Sequence, residues 1–208
     1  MRWMLFCGLL IATMSAHALM LNVVDGQLAG ASGVRVGDTL YEVEFVDGSC
    51  IELFGGCDNA TDDFAFTTSD DALVALEALA AQVIVDVGAG DFDSDPSLTT
   101  GCSFSGLCEL HVPFGVTFVT PSFDFANTAV FLNSNDVDVA LISEINRSFS
   151  TDGQLSLVFV RFSDPSPVPI PAALPLFLSG LAGLGVMRRR KRKVQRAGNA
   201  GDAATRLI

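Results

Sequence analysis

Residues able to do chemistry are few, and their spacing narrows what they can do. Beyond Cys7, the sequence holds four cysteines: Cys50, Cys57, Cys102 and Cys108. Four cysteines allow three pairings, and nearness along the chain favours Cys50 with Cys57 and Cys102 with Cys108. Loops this short contribute about 2 to 3 kcal/mol each by chain entropy. The competing chemistry is a four-cysteine zinc site, but six and five intervening residues exceed the usual spacing of about two to four. His111 is the one histidine other than His17, and no Gly-x-Ser-x-Gly elbow accompanies it. Triads assemble from distant residues, yet a histidine between Leu110 and Val112 reads first as a strand residue with a structural role.

Carboxylates supply a second set of candidates. Asp91-Phe92-Asp93-Ser94-Asp95 places acids at alternate positions, as the first half of an EF-hand loop does. Pro96 then stands where the glycine turn is needed and Cys102 where the bidentate glutamate should be. Asp58, Asp62 and Asp63 form a second acidic loop, and both loops read first as solvated surface, with weak calcium binding as the sharper alternative. No resident metal or other cofactor is expected. Asp136 and Asp138 resemble a hydrolytic pair only as far as any two surface acids do. Asn59-Ala60-Thr61 and Asn146-Arg147-Ser148, the latter with Glu144 two residues upstream, match the glycosylation acceptor pattern and permit a glycan without predicting one.

The elements that must position these residues follow from charge and hydropathy. The chain has 208 residues, half of them hydrophobic, and a net charge of -12. Between Leu19 and Met187 there are 23 acids against three bases, whereas eight bases follow Met187. An acidic body without a basic stripe repels phosphate backbones, so no nucleic-acid partner is expected. The basic cluster beside an apolar run belongs instead to membrane topology.

Both ends carry an address. Arg2, the apolar stretch Trp3 to Met14, and Ser15-Ala16-His17-Ala18 have the layout of a secretory signal peptide over residues 1–18, with Ala16 and Ala18 at the cleavage site. Cys7 lacks a lipobox and leaves with it. Near the other end, prolines at 165, 167, 169 and 171 enforce an extended segment over 164–171. The apolar run Ala172 to Met187 has 16 residues, a helix of about 24 Å against a hydrocarbon core of about 30 Å. This is a marginal transmembrane helix. Arg188, Arg189, Arg190, Lys191, Arg192 and Lys193 then act as a basic stop and place 188–208 in the cytoplasm, with the body outside it.

The order Val168-Pro169-Ile170-Pro171-Ala172, apolar run and arginine cluster resembles the PEP-CTERM sorting signal, in its VPLPA-CTERM variant with Ile170 for the usual leucine. The resemblance covers roughly the last forty residues. It implies recognition by an exosortase, a membrane cysteine protease that acts at the proline motif and passes the protein to the outer envelope or the medium. It implies nothing about the body. Residues 194–208 extend past the arginines where such tails usually stop, and no LPxTG sortase motif occurs.

Within residues 19–163 no long repeat holds register, and one domain is expected. Tyr41 to Val46 alternates, and Asp47-Gly48 before Ile51 to Phe54 predicts a hairpin. Leu73, Leu76, Leu79 and Val83, with Ser69 as cap, predict an amphipathic helix from Asp70 to Gln82. Strands are predicted at Val83–Val87, Val116–Val119, Thr128–Leu132, Val137–Ile142 and Leu155–Phe162, the last buried on both faces. The expected fold class is mostly β (α+β): an antiparallel sheet or sandwich with one amphipathic helix, plus an N-terminal signal helix and a C-terminal transmembrane helix. The expected function is that of a non-enzymatic, exported structural or binding protein. Its partners would be an exosortase, the membrane before processing, and exopolysaccharide or divalent cations. A permanent membrane anchor and an exported hydrolase are the alternatives.

Overall fold

The computed structural model describes residues 18–120 and 123–165. The signal segment and the sorting motif, apolar run and basic stop lie outside the described residues. The body is mostly β, with one seven-stranded sheet. Its strands are β1 (Met20–Val24), β2 (Gln27–Val36), β3 (Thr39–Val46), β6 (Leu107–Thr120), β7 (Phe123–Ser134), β8 (Val139–Asn146) and β9 (Leu157–Ser163). A two-stranded hairpin, β4 (Asp86–Val87) with β5 (Gly90–Asp91), stands apart. The order across the large sheet is β1-β2-β3-β9-β6-β7-β8.

All neighbours run antiparallel except β9 and β6, so the sheet is mixed, with one parallel pair in the mostly antiparallel arrangement expected. The cause lies in β9. Leu-Val-Phe-Val-Arg-Phe is apolar on both faces, with Val158, Phe159 and Val160 essentially inaccessible. A strand of that pattern is stable only inside a sheet with both faces covered. It therefore enters between β3 and β6 rather than adding to an edge.

Each face has its own cover. α3 (Ser69–Gln82) packs over β2, β6, β7 and β8, burying Ala72, Ala75, Leu76 and Leu79 against Leu28, Val43, Leu110 and Val158. Its cap is Thr68 rather than Ser69: the Thr68 hydroxyl accepts from Asp71 N at 3.2 Å. On the opposite face, Cys50, Phe54, Cys57 and Phe64 cover Phe159, Ala126 and Ile145. Many of the sixteen phenylalanines of the sequence serve this core, as in the Tyr41, Phe66 and Phe162 cluster with centroids 5.1–5.8 Å apart.

The predicted hairpin after Asp47-Gly48 does not form. Ser49 caps a helical turn, α1 (Cys50–Leu53), and its N–H donates to Glu52 Oε2 at 3.0 Å in a capping box. A second turn, α2 (Ala60–Asp63), is capped by Asn59. The predicted strand at Val83–Val87 shrinks to Asp86–Val87, because Val83 still donates to Leu79 O at the end of α3. The other strand predictions fall within longer or shifted strands β6 to β9.

Candidate functional site

The cysteines pair as nearness along the chain favoured. Cys50 and Cys57 are bonded with Cα atoms 5.6 Å apart, and Cys102 and Cys108 with Cα atoms 5.7 Å apart. All four are buried, and the disulfide bonds leave no thiolate for metal ligation. Cys57 is turned by a positive φ of 53°, the left-handed conformation that brings its sulfur back over α1.

The β6–β7 pairing sets His111 opposite Val130 and, two residues along on the same face, gives its ring a hydroxyl neighbour. His111 Nδ1 lies 3.1 Å from Thr128 Oγ1, and that hydroxyl donates to Ser143 O at 3.4 Å. The ring therefore donates from Nδ1. Nε2 faces Glu109 at 3.5 Å, a contact that is attractive when the imidazole carries a proton. Hydroxyl, imidazole and carboxylate thus stand in a row, the constituents of a nucleophilic triad. However, Thr128 is fully buried, His111 is 4 % exposed, and Phe159 stacks edge-on at 6.1 Å. A hydroxyl sealed beneath the strand layer has no path to a substrate, so this row works as a buried polar tie between β6, β7 and β8.

The acidic loops are held by their own backbones. Asp86, which the sequence reading passed over, accepts from Asp93 N at 2.9 Å, from Ser94 N at 3.0 Å and from the Ser94 hydroxyl. These bonds hold its carboxyl below the usual range, the Ser94 hydroxyl most strongly. Asp95 caps the short 3-10 turn Pro96–Leu98 through Ser97 N at 3.2 Å. Asp93 lies near Asp138 and Asp86; burial, then repulsion by those two, pushes its carboxyl up. Asp93 and Asp95 thus serve separate surroundings rather than one shell. In the second loop, Asp63 Oδ2 accepts from Asp58 N at 2.9 Å and Asn59 N at 3.0 Å. Asp138 Oδ1 accepts from Ser134 N at 2.9 Å, closing the β7–β8 turn. Among the described residues, no group of three or more His, Cys, Asp or Glu side chains is arranged to hold a metal ion.

No family model, curated protein or solved structure matches the chain. Function must therefore be argued from this chain's own residues. Both glycosylation acceptors are tied locally: the Asn59 amide donates to Asp62, and Asn146 Oδ1 accepts from Ser148 N at 2.9 Å. A cleft of about 180 Å³ opens beside Phe54, Asp63, Phe64 and Arg161. Asp63 is committed to its backbone bonds and Arg161 to Glu44, which leaves that cleft without a convergent set of free polar groups.

The residue that most organises this region is Arg147, which the sequence reading treated only as the middle of a sequon. Its guanidinium donates to Asp124 Oδ2 at 3.2 Å and to Gly56 O at 2.8 Å, and lies 5.2 Å from the Phe118 ring centroid. One side chain thereby ties the disulfide loop to the ends of β6 and β7. Its signal was present in the composition, since only three bases serve the whole body. The predicted sorting and cleavage residues lie outside the described residues, Ala18 excepted.

Proposed function

We propose that this chain is an exported cell-envelope or extracellular-matrix protein. Its C-terminal tail would be a sorting signal for an exosortase-type enzyme, and its body a structural or binding domain without catalytic chemistry. The observation that carries this reading is the order of Val168-Pro169-Ile170-Pro171-Ala172, apolar run and Arg188-to-Lys193 block, with a signal-peptide layout at the other end.

Several features of the body support it. Two disulfides suit an oxidising compartment. β1 begins at Met20, past Ala18, and β9 ends at Ser163, ahead of the proline motif. Cleavage at both proposed points would leave every strand of the sheet whole. The buried His111 row supports a structural reading over a hydrolytic one.

Intact mass of the protein from its native host, fractionated into membrane, soluble envelope and medium, tests the proposal. The expected species begins at Leu19 and ends between Val168 and Ala172, alone or with an acceptor mass. A chain ending at Ile208 and confined to the membrane would overturn it. That outcome would favour the permanent anchor, a reading the 194–208 extension supports.

A further inference from the structure

We propose that two copies of this protein join through the open edge of β8, in an antiparallel pairing centred on Ile142 that continues the sheet from one copy into the other. The large sheet has two edges, β1 and β8. β1 is five residues long and its pairing is broken by a bulge between Asn22 and Val23, two devices that discourage edge-to-edge association. β8 has eight residues in unbroken register with β7. It carries no charge from Val139 to Ser143, and Val139, Leu141 and Ile142 remain 43, 37 and 46 % exposed. It has neither proline nor lysine, the usual edge protection.

The backbone fixes which groups are free. Arg147 N donates to Asp124 O at 3.2 Å, so the N–H of residue 147 points toward β7, while its carbonyl accepts from Ile51 N at 3.3 Å. Direction alternates along an antiparallel strand. Residues 145, 143, 141 and 139 therefore also face β7, in keeping with the Thr128 hydroxyl donating to Ser143 O. Ala140, Ile142, Glu144 and Asn146 point outward, and Asn146 O is taken by Phe149 N in the following turn. Among the described residues, the outward ones with neither backbone group engaged are thus Ala140, Ile142 and Glu144.

These three are symmetric about Ile142. A two-fold axis there pairs Ile142 with Ile142 of the second copy and Ala140 with Glu144. Each of the three then donates one hydrogen bond and accepts one across the axis, the self-complementary arrangement a two-fold interface requires.

Charge selects a second copy in this register. A body with 22 acids and three bases over residues 19–163 repels another copy at most approaches, and β8 offers an uncharged seam. Centring on Leu141 instead would set Asp138 against Glu144. Centring on Ile142 sets Glu144 against Ala140 and Asp138 against Asn146. The chain's own proline segment is a poor occupant, because alternate prolines lack the N–H that strand addition needs.

The test is sedimentation velocity of the full chain in mild detergent across the micromolar range, with Ile142→Asp as perturbation and Val74→Asp, on the exposed side of α3, as control. A reversible dimer is expected, weakened roughly tenfold or more by like charges meeting at the axis in Ile142→Asp and unchanged in Val74→Asp. Should Ile142→Asp fail to fold, judged by circular dichroism, crosslinking decides. Ile142→Cys with a short bis-maleimide should give a covalent dimer far faster than Leu155→Cys, which is exposed away from the edge. A monomeric wild type, a dimer that survives Ile142→Asp, or equal crosslinking of the two cysteine variants would each overturn the proposal.

Discussion

Replacing Cys50 and Cys57 together by alanine tests how the body is held. The bridge spans a sequence separation of seven, and that between Cys102 and Cys108 spans six. By chain entropy, closing either loop contributes about 2.4 kcal/mol. Each sulfur is also buried, and losing one methylene-sized group costs about 0.8 kcal/mol, so either double variant should lose about 4 kcal/mol. For a body of this size that corresponds to a fall in Tm of roughly 8–16 °C. The bridges sit in separate clusters, one on each face of the sheet, so their losses should add. The quadruple variant would then forfeit most of a total stability on the order of 10 kcal/mol. Urea titrations and differential scanning calorimetry of the oxidised wild type, both double variants and the quadruple variant supply the comparison. A loss under about 1 kcal/mol for either pair would refute the reasoning, since loop closure alone predicts more.

Two neighbouring carboxylates should respond to acid with opposite sign. Asp86 titrates low in the fold, so its contribution is present above the unfolded value and disappears as pH falls through the folded one. Asp86→Asn should lower the urea midpoint at neutral pH and converge with wild type in acid. Asp93 titrates high, so its ionised form is a penalty above the folded value that is relieved below the ordinary aspartate range. Asp93→Asn should raise the neutral midpoint, and that gain should vanish on acidification. Thr128→Val strands the His111 Nδ1 donor in the core and should cost about 1–3 kcal/mol by chemical denaturation. Gly30→Ala places a Cβ 2.0 Å from Val43 O at a φ of 152°, and should cost roughly 3 kcal/mol or more, read as lost expression or a collapsed Tm.

Where one physical signal dominated, the sequence was readable. The double-sided apolar pattern of β9 marked a strand covered on both faces, and Leu76 and Leu79 marked the buried side of α3. The disulfide pairs followed from spacing. Asp47-Gly48 misled, because the same dipeptide that closes hairpins also permits other turns. Gly48 N donates to Thr151 Oγ1 at 3.1 Å, and the Thr151 hydroxyl donates to Asp47 Oδ1 at 2.9 Å, across a separation of about a hundred residues invisible to local reading. Ser49 and Glu52 did carry a legible capping box, and it outweighed the alternating pattern. The parallel entry of β9 beside β6 is likewise a long-range choice, settled by which interior slot accepts a strand with no polar face.

The acidic loops carried a double signal, solvated surface first and cation site second, for one reason rooted in composition. An acidic loop suggests a cation because carboxylates need partners, and a body with only Arg35, Arg147 and Arg161 cannot supply them as salt bridges. Among the described residues, arginine–carboxylate pairs join Arg147 to Asp124 and Arg161 to Glu44. Other carboxylates turn to dipoles: Glu52 to Ser49, Asp63 to the N–H groups of Asp58 and Asn59, Asp86 to Asp93 and Ser94, and Asp138 to Ser134. Dipoles satisfy a carboxylate without neutralising it. The loops are locally content, yet the body keeps almost its whole negative field, screened only over a Debye length of about 8 Å in physiological salt. Contacts with other molecules are then governed by where charge is missing rather than where it gathers. That condition is met along β8 from Val139 to Ser143, where the outward backbone groups also lack partners among the described residues.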